Sequence, residues 1–451
     1  MTASRSADTA TTSLSGLDGQ VQTWVEEELG GSVVSAKRTF GGGTRATWFL
    51  RVEGRDGTRD VVGRIELGQS PFTGTAITLA REAVVYRALA STDVRLPELL
   101  AEDPQGRALL LERLPGTSDL LGLPEEERHA ALLGLMDQLA CLHRCDTRAM
   151  DLPGFTHPRT AEDHALVDLE VWRTLAERCS AVPPEVHFAF AWLETHAPTD
   201  VARTVLVQGD TGPGNMMVVD GEVIGLIDWE FAHLGDPHDD LAWLLFRATG
   251  QRRRVVDDMS PYLHRYAQES GRAINPSSLA YYQVLVQLRC AITTLLTIEQ
   301  GGNLGIAMYE AYHRQFVKDM MEAIAECEGL EVPQPRTEAA GTRYGALYDR
   351  VLAALAHDIR PDASSTSVKL AVNESISTLQ HLRAVDAHGA VLYADDRAEL
   401  DHLLGDIPEG QREVQLEERA RTGGAQADRE VLSLLLQRSR REAVLWADVL
   451  A

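Results

Sequence analysis

An aspartate and an asparagine separated by four residues, with a second aspartate thirteen positions further on, constrain this chain more than any other feature. They are Asp210 and Asn215 in Val207-Gln208-Gly209-Asp210-Thr211-Gly212-Pro213-Gly214-Asn215, and Asp228 in Leu226-Ile227-Asp228-Trp229-Glu230. Between them, Met216 to Val219 and Glu222 to Ile227 read as two short apolar strands joined at Asp220-Gly221, a two-residue signal for a tight hairpin. That hairpin carries Asn215 at its start and Asp228 at its end, so both oxygen ligands can face one metal ion. The set suits phosphoryl transfer. There, one carboxylate orients the attacking hydroxyl and accepts its proton, while two oxygen ligands hold Mg²⁺ against the phosphates of ATP. Asp210 is therefore the predicted catalytic base, and Asn215 and Asp228 the predicted metal ligands. Any one of these residues alone carries little information. The three together, with the hairpin that joins them, are specific.

At these residues the chain resembles the aminoglycoside phosphotransferase family, which shares the kinase fold with choline kinases and other small-molecule kinases. The family pattern is His-Gly-Asp, four residues, Asn, then Ile-Asp-Trp, Gly-Asp-Pro and Asp-Leu-Ala. Here it reads Gln208-Gly209-Asp210, Asn215, Ile227-Asp228-Trp229, Gly235-Asp236-Pro237 and Asp240-Leu241-Ala242. Gln208 replaces the family's His. The resemblance implies that this position braces the loop, and Gln still donates and accepts hydrogen bonds, so activity is expected to survive.

The implied architecture is α+β: a bilobal protein-kinase-like fold plus a C-terminal all-α domain. Residues 1–17 are expected to form a disordered tail, 18–115 a small β-rich N-lobe, and 116–330 a helical C-lobe with the catalytic loop. Residues 331–340, with Pro333 and Pro335, read as a linker. Residues 341–451 carry heptad-like stripes such as Leu347, Val351, Leu352 and Leu355, and are expected to be a helical accessory domain. This segment resembles a small companion protein that accompanies acyl-CoA-type members of the family. Self-association is the role expected of it.

Three strands are expected over Val33–Thr39, Ala46–Val52 and Asp60–Ile65. The first turn between them is Phe40-Gly41-Gly42-Gly43-Thr44. Glycines here let backbone N–H groups approach phosphates, which makes Gly42, Gly43 and Thr44 candidates for ATP binding. A merely flexible turn is the other reading. Arg64 ends the third strand, and Glu82 falls in the next helix, Ile77 to Leu89. Kinases pair a cation and a Glu at these places, and the cation holds ATP phosphates. Arg can do so bidentately. A surface Arg and a surface Glu are the alternative. Ala108 to Leu114 matches the family's hinge, so Glu112 and Leu114 are placed beside adenine. ATP and Mg²⁺ are the cofactors implied.

Seven residues separate Asp228 from Asp236, too few for a peptide-docking segment, so the acceptor is expected to be a small-molecule hydroxyl. The block Asp228 to Pro237 resembles the branch associated with acyl-CoA dehydrogenases, which implies a 4-hydroxyacyl-CoA thioester. Arg252-Arg253-Arg254 is then a candidate for the CoA phosphates, unless it is a solvated helix end. An aminoglycoside or macrolide kinase is the alternative. A non-catalytic nucleotide-binding scaffold is another, against which the retained Asp210, Asn215 and Asp228 argue.

The net charge of −24 argues against nucleic acid and anionic membrane surfaces. No uninterrupted apolar run reaches the ~18 residues that span a bilayer, and the first fifteen residues lack the apolar core of a secretory signal. The five Cys lack metal-ligand spacing and read as reduced thiols, pointing to a cytoplasmic protein.

Overall fold

The computed structural model describes residues 16–39, 45–55, 57–66, 70–250, 254–300, 305–337, 342, 344–405 and 407–451. Residues 1–15, and with them most of the expected tail, lie outside the described residues, as do Gly42, Gly43, Thr44, Arg252 and Arg253. The chain divides into two compact units.

The first unit comprises Met1–Phe155, Gln208–His233 and Ser260–Gly271. It opens with helix α1, Gly19–Leu29, capped by the Asp18 carboxylate, which accepts from the Gln20 and Val21 amides. An antiparallel sheet follows: β1 (Gly31–Arg38), β2 (Arg45–Gly54), β3 (Gly57–Glu66), β4 (Leu99–Glu102) and β5 (Ala108–Glu112), in the order β1-β2-β3-β5-β4. Alternation does the folding work here. Ala46, Trp48, Leu50 and Val52 of β2 point into one core with Val61 and Ile65 of β3 and with Trp24 and Val25 of α1.

Helix α2, Leu79–Leu89, lies between β3 and β4 in the chain. It buries Leu79, Ala83, Val84, Val85, Tyr86 and Leu89, and with them the carboxylate of Glu82. A buried carboxylate demands a cation, and this one organises the site described below. Helix α3, Glu125–Arg144, pairs with the helix Ser260–Ser270. The His143 ring meets the Tyr266 hydroxyl there at 2.7 Å, which makes it a core residue.

The second unit comprises Thr156–Val207, Leu234–Met259 and, without a break, Arg272–Ala451. Its long helix Pro276–Glu299 is the one helix among the described residues long and apolar enough to cross a bilayer. It is nonetheless packed in protein, with Tyr282, Leu285, Leu288 and Ile292 buried. Its buried Arg289 guanidinium grips Asp168 at 2.5 Å and Asp239 at 2.6 Å. The C-terminal helices belong to the same unit. Arg412–Ala425 lies along Pro184–Thr195, and Arg429–Leu450 along Ile306–Cys327.

Candidate active site

The catalytic loop lies wholly in the first unit, and its shape follows from a few local requirements. Gly209 has φ +84°, and a side-chain carbon there would stand 2.4 Å from the Phe231 carbonyl oxygen. Only glycine fits. Gln208 braces the loop from inside. Its Nε2 donates to the Ile227 and Asp228 carbonyls at 3.0 and 2.7 Å, and its Oε1 accepts from the Asp210 amide at 3.2 Å and the Thr211 hydroxyl at 2.8 Å. One amide side chain thus ties the Asp210 segment to the Asp228 segment. An imidazole has two nitrogens for such work, whereas Gln makes four hydrogen bonds here.

Asn215 is held just as closely. Its Nδ2 donates to the Asp210 carboxylate at 2.7 Å and to the Asp210 carbonyl at 2.8 Å, and both side chains are buried. With the nitrogen committed to Asp210, the amide oxygen remains as the available ligand. The hairpin forms as Met216–Val219 against Glu222–Leu226, with Asp220 at φ 49° and Gly221 at φ 78° in its turn. These angles are those of the primed turn that Asp-Gly favours. The Ile227 amide donates to the Asn215 carbonyl at 3.0 Å, which closes the hairpin's base and sets Asp228 beside Asn215. Asp228 itself has φ 63°, a left-handed conformation that Asp tolerates better than most residues.

On the sheet side, Arg64 reaches Asp228 at 2.6 Å, its shortest ion pair. Glu82 stands 3.5 Å away and Glu230 3.8 Å. The expected Arg64–Glu82 pair is therefore present as a charge contact, while the hydrogen bond goes to Asp228. Burial works against the Arg64 charge, but Asp228, Glu82 and Glu230 outweigh it and hold the guanidinium well above its ordinary pKa.

Sequence reasoning missed Arg45, Glu66 and Glu230. Arg45 is 2% exposed and donates to Glu66 at 3.1 Å, to Glu230 at 2.8 Å and to the Ile77 carbonyl at 3.0 Å. Arg45 faces Glu66 directly across the β2–β3 ladder, which makes that pair a consequence of register. Burial and the Asp228 charge push the Glu230 carboxyl up to about 8, against the pull of Arg64 and Arg45.

The cluster thus sets the carboxylates of Glu66, Glu82, Asp228 and Glu230 against the guanidiniums of Arg45 and Arg64. Among the described residues no three His, Cys, Asp or Glu side chains converge as a metal cage. Mg²⁺ at phosphoryl-transfer sites does not ask for one. It takes one or two protein oxygens and completes its shell with phosphates and water. An Asp228 carboxylate and an Asn215 amide oxygen, in a cluster with more acids than bases, fit that ion.

Glu112 is exposed at the end of β5, its amide donating to the Glu98 carbonyl at 2.8 Å. Leu114 is half-buried and packs on Gly225 of the catalytic hairpin, where any side chain at 225 would meet its Cδ1. Beyond it, Thr117 pairs with Val218 through both backbone hydrogen bonds, at 3.0 and 2.9 Å. The expected hinge segment is thereby stitched to the hairpin that carries Asn215 and Asp228. Arg254 is largely exposed and pairs with Asp257 at 3.5 Å.

A kinase-like sheet lobe and a braced Asp–Asn–Asp loop define a phosphotransferase of the small-molecule kinase class. The sequence profile of the phosphotransferase enzyme family (APH) matches residues 37–280, more than half of the chain, and the chain belongs to that family. Acyl-CoA dehydrogenase family member 10 of Mus musculus is 30% identical over 220 residues, 45% of this chain and 19% of that protein. The chain thus spans about a fifth of that relative's length. A crystal structure from Ralstonia eutropha named for the aminoglycoside phosphotransferases matches 70% of this chain and 99% of its own, with 22% identity and a TM-score of 0.54. That likeness shows the fold. A ternary complex of a thermostable aminoglycoside phosphotransferase with ADP and hygromycin B matches 66% of this chain and 98% of its own, at 20% identity and a TM-score of 0.47.

Proposed function

We propose that this phosphotransferase moves the γ-phosphate of ATP to a hydroxyl on the acyl chain of a 4-hydroxyacyl-CoA thioester. The Asp210–Asn215 contact, joined to Asp228 through Gln208, is the observation that carries the reaction. Asp210 would accept the hydroxyl proton as the oxygen bonds to phosphorus. The bond from phosphorus to the bridging oxygen then breaks and ADP leaves. Asp228 and Asn215 would hold Mg²⁺, whose charge supports the phosphate oxygens. Arg64 would bind phosphate. Glu112 and Leu114 are assigned to the nucleotide by resemblance, the segment Gly42 to Thr44 by the access that glycine gives backbone N–H groups to phosphate, and Arg252 to Arg254 to the CoA phosphates by charge.

The choice of acceptor rests on the Asp228 to Pro237 block and on similarity to a relative named as an acyl-CoA dehydrogenase family member. Both are arguments from likeness, so the substrate is the part to test first. Incubation with MgATP and 4-hydroxyvaleryl-CoA should add one phosphate to the CoA thioester, read by mass spectrometry with the thioester intact. No gain there, beside efficient phosphorylation of kanamycin, would replace this acceptor with an aminoglycoside. No transfer to any hydroxyl, with nucleotide still bound, would leave a binding scaffold.

The five cysteines, read as reduced thiols, are in keeping with action in the cytosol. Self-association is assigned to residues 341–451, where Tyr344, Leu347 and Val351 are exposed at spacings that share one helix face. Sedimentation velocity at micromolar concentration should show a dimer that Leu347→Glu dissociates. A monomeric wild-type protein would remove this assignment.

A further inference from the structure

We propose that Arg45 is a positioning residue of the phosphoryl-transfer site: as the fixed counter-ion of Glu230, Glu66 and Glu82, it leaves Arg64 able to exchange Asp228 for nucleotide phosphate. The inference rests on the phosphotransferase reading and adds to it a residue whose guanidinium is taken up by protein acceptors.

The two arginines differ in how they are held. Each of the three Arg45 nitrogens has an acceptor: Glu66 on Nε, Glu230 on Nη1 and the Ile77 carbonyl on Nη2. Its side chain is 1% exposed, and three fixed acceptors on three different segments leave it one orientation. Arg64 is less committed. Among the described residues its Nε is buried without a hydrogen-bond partner, and Nη1 has long contacts, to Thr47 at 3.3 Å and Asp228 at 3.5 Å. Among the described residues, its one short bond runs from Nη2 to Asp228 at 2.6 Å. A guanidinium with an orphaned donor gains by finding an anion that satisfies it, and phosphate offers the right fork.

Glu82 explains why a second arginine is needed. It is fully buried, with the Tyr86 hydroxyl as its neutral neighbour, and it stands between the two cations, 3.9 Å from Arg45 and 3.5 Å from Arg64. Glu230 is shared in the same way, at 2.8 Å from Arg45 and 3.8 Å from Arg64. If Arg64 were the sole cation, buried Glu82 and partly buried Glu230 would both hold it, and phosphate would compete with them and with Asp228. Uncompensated buried charge is costly, so that competition would be severe. With Arg45 in place, Arg64 can turn without stranding either acid.

The test compares ATP with adenosine, because Arg45 acts through Arg64 on the phosphates and not on the base. Binding of each to the full-length protein is measured by calorimetry, with Mg²⁺ present and thermal melting as a folding control. Arg45→Met should weaken ATP about tenfold or more, with adenosine unchanged. Adding Glu230→Gln should recover part of the loss, since altering both partners of a hydrogen bond leaves less unsatisfied than removing one. Should Arg45→Met not fold, Arg45→Lys keeps the charge with fewer contacts and should show the same selective loss at smaller size. Equal losses for ATP and adenosine, or no loss in the variant that folds, would overturn the proposal. Failure of the wild-type protein to bind ATP would overturn the phosphotransferase reading itself.

Discussion

Replacing Asp210 by Asn is expected to lower phosphate transfer by about 10²–10⁴-fold, the usual contribution of a positioned general base, while ATP still binds. The variant isolates chemistry from architecture. Asn has the shape of Asp, and its amide can turn its oxygen toward the Asn215 Nδ2, so the 2.7 Å contact survives the change. What is lost is the ability to accept a proton. The nucleotide side is untouched, because Arg64, Glu82, Arg45 and Glu230 form their own network with Asp228. Transfer rates with saturating MgATP, beside calorimetric binding of MgATP, measure the two effects separately. Near-normal turnover would remove Asp210 from the role of base. Lost nucleotide binding would mean that it serves the metal instead.

The parts of this site that the sequence makes legible are those set by short-range rules. The Asp220-Gly221 turn dictates its own hairpin, and the hairpin fixes the spacing of Asn215 and Asp228 whatever surrounds it. The strands of the N-terminal sheet show in their alternation, and the buried face of α2 in its apolar spacing. Gln208 was legible in kind, as a residue able to donate and accept, though not in the number of bonds it makes. Partnerships across long stretches of chain are a different matter. Arg45 and Glu230 are 185 residues apart, and nothing near either one signals the other. The Arg45–Glu66 pair needs the exact strand register, which one residue of slippage would abolish. The preference of Arg64 for Asp228 over Glu82 is a matter of one ångström, 2.6 against 3.5 Å, below anything a sequence pattern encodes. The C-terminal segment makes the same point from the other side. Pro333 and Pro335 signal a linker, yet a linker signal says nothing about how firmly the following helices dock.

Deleting residues 336–451 is expected to leave no soluble folded protein, because the segment closes the core of the helices before it. Helix Arg412–Ala425 meets helix Pro184–Thr195 at backbone range: a side-chain carbon at Gly424 would stand 2.2 Å from the Phe188 carbonyl oxygen. Gly424 lies in the last turn of its helix, and glycine within a helix normally costs stability. Here it permits contact with Phe188 and Ala191, both buried. Leu416, Val431, Leu432, Leu434, Leu435, Leu436, Leu445 and Val449 of the last two helices are all buried as well. At about 1.5–3 kcal/mol for each such side chain, their burial is on the order of 12–24 kcal/mol before the entropy of ordering is subtracted, an upper bound comparable with or above the net stability of a typical domain.

Polar contacts add direction to that apolar seam. The Glu374 carboxylate accepts from the Gly305 and Ala307 amides, each at 2.9 Å, and so caps the helix Ile306–Cys327. Arg440 pairs with Glu322 at 2.8 Å and donates to the Val332 carbonyl at 2.7 Å, pinning the proline segment itself. Truncation before Arg336 removes every one of these partners together. The shortened chain should appear in the pellet on expression, or, if refolded, should bind apolar dye and melt without a cooperative transition. Soluble, cooperatively melting protein from that truncation would show that the C-terminal helices are a separable domain, and that the prolines mark a true boundary.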